Sequence, residues 1–240
     1  MNESRSASLL AFLRARVSPQ GYLGLHLTVG ALTLVLAVVL FGNIAEDVVT
    51  LDPITLLDAQ VAQWFHVHAT PPLTRFMLGV TYLHSTLGII ALCGVLAMYW
   101  ARIKAWDWLL ALLLTVPLGM LLNVLLKNIF QRARPSFEHP LLTLNTYSFP
   151  SGHAAAATLF YGVLAAYLCC RLASWRWRVM VVALAVLLVS LVGLSRIYLG
   201  VHYLSDVLAA IAASSGWLAV SLTAVGTWRR RRQWQLSNSA

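Results

Sequence analysis

A chain of 240 residues that is 60% hydrophobic and only 10% charged is not a water-soluble domain, because ordinary globular proteins carry roughly 25% charged residues. The net charge of +9 could suit nucleic acid, but the basic residues stand at the ends of apolar runs, which argues for a membrane and against a nucleic-acid partner. Cys93, Cys169 and Cys170 lie within or at the ends of those runs, so no disulfide framework is implied, and lipidation of Cys169 or Cys170 is left open.

In chain order, Arg5, Arg14 and Arg16 resemble the start of a signal peptide. The apolar stretch that follows exceeds the usual 7–15 residues or so, and no small-residue cleavage pattern follows it, so the first span is expected to be retained. Val17–Ala45, Phe76–Ala101, Trp108–Leu126 and Val207–Trp228 contain no Asp, Glu, Lys or Arg. Ala154–Cys170 and Val179–Ser195 are shorter but reach the lower limit of about 17 residues for crossing a bilayer. The expectation is six spans, at approximately 24–42, 76–100, 108–126, 153–171, 179–195 and 206–228. The fold class is then all-α, an integral-membrane bundle, because lipid cannot hydrogen-bond an exposed backbone.

The connecting segments differ in kind. Asn43–Thr74 is acidic, and Ile54, Leu57, Val61, Trp64 and Phe65 recur in it at helical spacing, which predicts an amphipathic helix in the interface. Asp52-Pro53 reads as its start, with Asp52 as cap. Asn128–Pro150 carries Pro135, Pro140 and Pro150 and predicts an irregular loop, while Ile197–Ser205 is very short. Pro117 predicts a kink inside the third span. His66 and His68, beside Trp64 and Phe65, read as an interfacial aromatic belt, and His26 and His84 as packing or hydrogen-bonding residues. No repeat or soluble domain is evident, so residues 1–240 form one domain.

Twelve of the 17 basic residues, including Arg102, Lys104, Arg171, Arg176, Arg178 and Arg229–Arg232, fall on one side of this topology. The other side has Arg75, Lys127, Arg132, Arg134 and Arg196. The positive-inside rule then puts both termini in the cytoplasm and the opposite ends of the spans outside. Arg229–Arg232 reads as an anchor on anionic lipid.

Three polar islands fall on the outer side: Lys127 with Arg134-Pro135, Pro150-Ser151-Gly152-His153, and Ser195-Arg196 with His202 and Asp206. Ser151 can cap the fourth span and Gly152 lets a ligand approach the backbone, so the helix amides and dipole make an anion site there. His202 and Asp206 are four apart and share a helix face. The carboxylate can accept one imidazole N–H and leave the other nitrogen free to attack. Gly200 would let the chain pass close to a bound anion. Arg132 reads as a snorkelling surface cation.

Together the islands resemble the type 2 phosphatidic acid phosphatase family, integral-membrane lipid phosphatases related to vanadium haloperoxidases. The family signature is Lys, six residues, Arg-Pro; then Pro-Ser-Gly-His; then Ser-Arg, five residues, His, three residues, Asp. Every position and spacing is met here between Lys127 and Asp206. The resemblance implies that His202 is the nucleophile, forming a phosphohistidine, that Asp206 orients it, and that His153 protonates the leaving oxygen and then activates water. It implies that Lys127, Arg134 and Arg196, with the Ser151 hydroxyl and Gly152 amide, hold the phosphoryl oxygens.

The outer carboxylates Glu46, Asp47, Asp52, Asp58 and Glu138 show no metal-ligand spacing, so neither a metal nor another cofactor is expected. The expected partners are a lipid phosphate substrate and membrane lipids. Undecaprenyl diphosphate is the leading substrate, with phosphatidylglycerophosphate, phosphatidic acid and lipid A as alternatives. A haloperoxidase, or an anion-binding membrane protein without catalysis, would use the same charges. Oligomeric state is not legible in the sequence.

Overall fold

A computed structural model describes residues 25–238, so residue 24 and the basic residues Arg5, Arg14 and Arg16 lie outside the described residues. Eight helices account for most of them: α1 (Leu25–Thr50), α2 (Pro53–Val67), α3 (Pro71–Leu83), α4 (Thr86–Arg102), α5 (Trp106–Phe130), α6 (Gly152–Arg171), α7 (Trp175–Tyr198) and α8 (Leu204–Asn238). The chain is all-α, as expected. Five of these helices are long and apolar enough to span a membrane, and α3 and α4 together have the length and apolarity of a sixth if the bent pair crosses as one.

Helix α6 is central, packed against α5, α7 and α8, while α1 runs along α8. The buried tetrad Ala154–Ala157 at the start of α6 explains its place, because small side chains let neighbouring backbones approach closely. Farther along, Leu159, Phe160, Val163 and Tyr167 pack with Trp100, Leu112 and Val116. The outer faces are apolar in the opposite sense, with Leu32, Val35, Leu36 and Leu87 exposed, a surface that only hydrocarbon can solvate.

Three expectations need correction. The second span is not a continuous helix over 76–100 but two helices bent by 53° at His84-Ser85. Ser85 stops the first by capping the second, its hydroxyl accepting from the Gly88 amide at 3.3 Å. Gly88 is required there, since a Cβ would lie 2.0 Å from the Leu83 carbonyl oxygen.

In α2, Pro53 stands in the first turn, but the Asp52 side chain makes no cap bond. Its carboxylate instead accepts from the Thr50 hydroxyl at 2.6 Å. The inward face of α2 also differs from the expected stripe: Asp58 and Ala62 are buried, Val61 and Phe65 pack inward, and Leu57 and Trp64 are exposed. A carboxylate, buried in full, therefore lies on the packed face. The helix α5, which runs through Pro117, continues to Phe130, so the loop expected over 128–150 begins three residues later, where Gln131 adopts φ +46° and releases the chain.

The topology gathers the C-terminal ends of α5 and α7 with the N-terminal ends of α6 and α8, and these four ends carry all three polar islands. Arg102, Arg171, Arg176 and Arg178 stand at the opposite end of the bundle.

Candidate active site

The turn between α7 and α8 positions the central imidazole. Gly200 has φ +69°, and a Cβ on it would meet the Phe137 ring at 2.8 Å. The glycine is thus needed for the left-handed turn and to clear the Phe137 ring. Two residues on, His202 is 2% exposed. Its Nδ1 lies 3.3 Å from Asp206 Oδ2, and its Nε2 lies 3.2 Å from the nearer Arg134 guanidinium nitrogen. A carboxylate can only accept, so Nδ1 carries the proton and the Nε2 lone pair points to the cationic side. Burial, reinforced by Arg134 and Arg196 and opposed by Asp206, lowers the His202 pKa to about 4.

Asp206, fully buried, divides its oxygens between two tasks. Oδ2 takes the His202 N–H, the Tyr203 amide at 2.8 Å and the Ser148 hydroxyl. Oδ1 takes Arg132 at 2.6 Å. Arg132 is not the exposed cation the sequence suggested. Its side chain is 14% exposed, it also pairs with Asp58 at 2.8 Å, and its guanidinium lies 4.3 Å from the centre of the Tyr203 ring. Burial, the largest influence, acts to lower the Arg132 pKa, but Asp206 and Asp58 outweigh it and raise it. Buried charges persist only when paired, which explains why Arg132 sits between two carboxylates.

The remaining cations fall into two groups. Lys127 donates to the carbonyls of Tyr147 at 2.7 Å and Ser148 at 3.3 Å. Arg134 donates to Thr146 O at 2.6 Å, Thr146 Oγ1 at 2.8 Å, Tyr147 O at 3.1 Å and Val201 O. Both therefore brace the loop over the site while facing it. Burial lowers the Arg134 pKa against the pull of Asp206. Arg196, 1% exposed, spends one nitrogen on the Thr81 hydroxyl at 3.0 Å, and its Nε and second terminal nitrogen are buried without a partner.

Ser151, also fully buried, does not make the expected side-chain cap, and its hydroxyl has no partner. An unpaired buried donor costs roughly 1–3 kcal/mol, so unpaired donors on Ser151 and Arg196 suit a site that an oxyanion completes.

Gly152 and His153 line the upper end of an apolar cavity of about 720 Å³ between α4, α5 and α6, whose walls include Ile89, Leu112, Val116 and Met120. His84 also lines it and is anchored at 2.8 Å to both Val80 O and the Tyr161 hydroxyl. His66 stacks on Phe137 and His68 on Trp64, consistent with the aromatic reading of both. His26 lies 3.2 Å from the Thr227 hydroxyl.

All eight expected site residues thus lie at one end of the bundle. The sequence reading missed Asp58, Arg132 and Ser148. The one signal for Asp58 was a carboxylate in register with Ile54, Val61, Ala62 and Phe65 on an otherwise apolar helix face.

Residues 108–231 match the family model described as the PAP2 superfamily. The chain is 39% identical to phosphatidylglycerophosphatase B of Bacillus subtilis over 141 residues, 58% of this chain and 68% of that protein. It is 37% identical to the decaprenylphosphoryl-5-phosphoribose phosphatase of Mycobacterium tuberculosis over 113 residues, 45% of this chain and 55% of that one. The crystal structure of a transmembrane PAP2 type phosphatidylglycerolphosphate phosphatase from Bacillus subtilis superposes with a TM-score of 0.72 at 30% identity, covering 79% of this chain and 94% of that one. The chain is therefore a multi-pass membrane protein that belongs to the PAP2 superfamily.

Proposed function

We propose that this protein is a metal-independent lipid phosphatase, its single domain spanning residues 1–240, that works through a phosphohistidine on the outer face of the membrane. The observation that carries this reading is the meeting of two unlike environments at His153. On one side are His202 and the unpaired donors of Ser151 and Arg196, and on the other is an apolar cavity that fits a lipid tail.

In this mechanism, His202 Nε2 attacks phosphorus and the P–O bond to the lipid breaks. The departing oxygen takes a proton from His153, which stands where the tail cavity begins. His153 then removes a proton from water, the water oxygen attacks phosphorus, and the P–N bond breaks to give phosphate and neutral His202. Lys127, Arg134 and Arg196, with Ser151 and the Gly152 amide, balance charge on the phosphoryl oxygens throughout. Asp206 holds the nucleophile's tautomer and steadies the charge the ring gains during attack.

For substrate, undecaprenyl diphosphate and phosphatidylglycerophosphate stand together. The first suits an outer-leaflet site with no large head-group domain, and the named polyprenyl relative supports a polyprenyl tail. The second is supported by the 39% identical relative.

Purified protein should release phosphate from one of these lipids in excess EDTA and be inhibited by vanadate, which becomes five-coordinate in the same cationic pocket. Activity lost on chelation and restored by Mg²⁺ would sink the metal-free mechanism. A panel of both lipids with phosphatidic acid and lipid A ranks the substrates by kcat/KM.

A further inference from the structure

Resting on that reading, we propose that Asp58 and Arg132 form a positioning clamp for Asp206, so that the short outer helix α2 supplies part of the nucleophile's support. The geometry assigns this role because both terminal nitrogens of Arg132 are spent on the groups around Asp206. One terminal nitrogen donates to Asp58 Oδ2 at 2.8 Å. The other donates to Asp206 Oδ1 at 2.6 Å and the Ser205 hydroxyl at 2.7 Å, while the plane lies over Tyr203.

Asp58 is fixed in turn, accepting the Ser205 amide at 2.9 Å on Oδ1 and the Ser205 hydroxyl on Oδ2. That amide is among the first of α8, which have no partner inside their own helix. Asp58 thus caps α8 from another element while aiming Arg132. The result is a closed ring of Asp58, Ser205 and Arg132 that holds Asp206 through Arg132, with Asp58, Ser205 and Asp206 fully buried.

The ring bears on chemistry through the split of Asp206. With Arg132 held on Oδ1, Oδ2 is left to the His202 N–H, Tyr203 and Ser148. An Arg132 released from Asp58 could swing about Oδ1 or turn toward the phosphoryl site, and the carboxylate would lose its fixed plane. The imidazole would then spend less time aimed for attack. Arg132 spends both terminal nitrogens on Asp58, Ser205 and Asp206, whereas Arg196 keeps two buried nitrogens without a protein partner.

The test is single-turnover phosphorylation of Asp58→Asn and Arg132→Lys, with the phosphoenzyme trapped by base quench. Lysine keeps the charge but lacks the rigid planar fork that holds both carboxylates in one fixed geometry. Both variants should lower the rate constant of phosphoenzyme formation by at least ~10-fold, as loss of partners that orient a functional histidine does elsewhere. Inhibition by inorganic phosphate should change by less than about twofold, because the substrate-facing donors are intact. The double variant should be little slower than Arg132→Lys alone, since Asp58 acts through Arg132.

A rate constant within about twofold of wild type, with only the amplitude reduced, would overturn the clamp and leave Asp58 as a folding residue. If Asp58→Asn cannot be purified, Arg132→Lys alone decides by the same criterion. A wild-type enzyme that turns over without phosphoenzyme would overturn the underlying mechanism instead.

Discussion

Between α7 and α8 the His202 ring is sealed into the protein, with Asp206 on one nitrogen and Arg134 on the other. His202→Ala should abolish phosphate release and remove base-stable, acid-labile phosphate from the protein, while the variant still inserts and folds. Near-normal turnover would end the phosphohistidine reading. The same variant reports the ring's ionisation. A His pKa lowered to about 4 means that, between there and the ordinary 6.5, the unfolded chain binds more protons than the folded one. His202's contribution is therefore fully present above pH 6.5 and is lost as pH falls toward 4. From pH 7 to 5 the Tm of wild type should fall more than that of His202→Ala, and parallel curves would show a normally titrating ring. What the sequence showed at this scale were residues with a recognisable spacing. Asp58 was not legible because its partner, Arg132, lies 74 positions away and is brought to it only by the packing of α2 over the bundle end.

Among the elements, the long apolar runs were legible because bilayer thickness fixes their length, and the ends of α6 and α7 came within a few residues. The break in the second span was not, since His84-Ser85 sits in an apolar run with no proline. Its cause is a side-chain cap together with a carbonyl pressed against a glycine, a three-dimensional circumstance. This gives a contrast at the level of the helix. Gly88→Ala puts a methyl group against backbone that cannot move without reopening the 53° bend. It should cost roughly 1–3 kcal/mol, the usual range for overpacking. Gly94→Ala, in the same helix with nothing within 4 Å of the added carbon, should leave stability unchanged or raise it. Thermal unfolding of both proteins in one detergent compares them, and equal Tm values would show that Gly88 does not set the bend. The bend also bears on the site, because His84 at its corner lines the cavity that His153 caps.

For the molecule as a whole, two independent asymmetries point the same way. The helix ends that carry Lys127, Ser151, Arg196 and Asp206 lie together, and the ends bearing Arg102, Arg171 and Arg176 lie opposite. Excess basic charge marks the cytoplasmic side because anionic lipid and the insertion machinery favour it there. The site would then act on the outer leaflet, where its substrate head group is presented. Glu138, in the exposed loop over the site, and Arg176, at the start of α7, are both open to reagents in the folded protein. In a background with Cys93, Cys169 and Cys170 replaced, a cysteine at Glu138 should react with an impermeant maleimide in intact cells. A cysteine at Arg176 should react only after the membrane is opened. The reverse pattern would put the site on the cytoplasmic leaflet and remove the case for undecaprenyl diphosphate. The chemistry at His202 would stand unchanged, because nothing in its geometry depends on which leaflet delivers the phosphate.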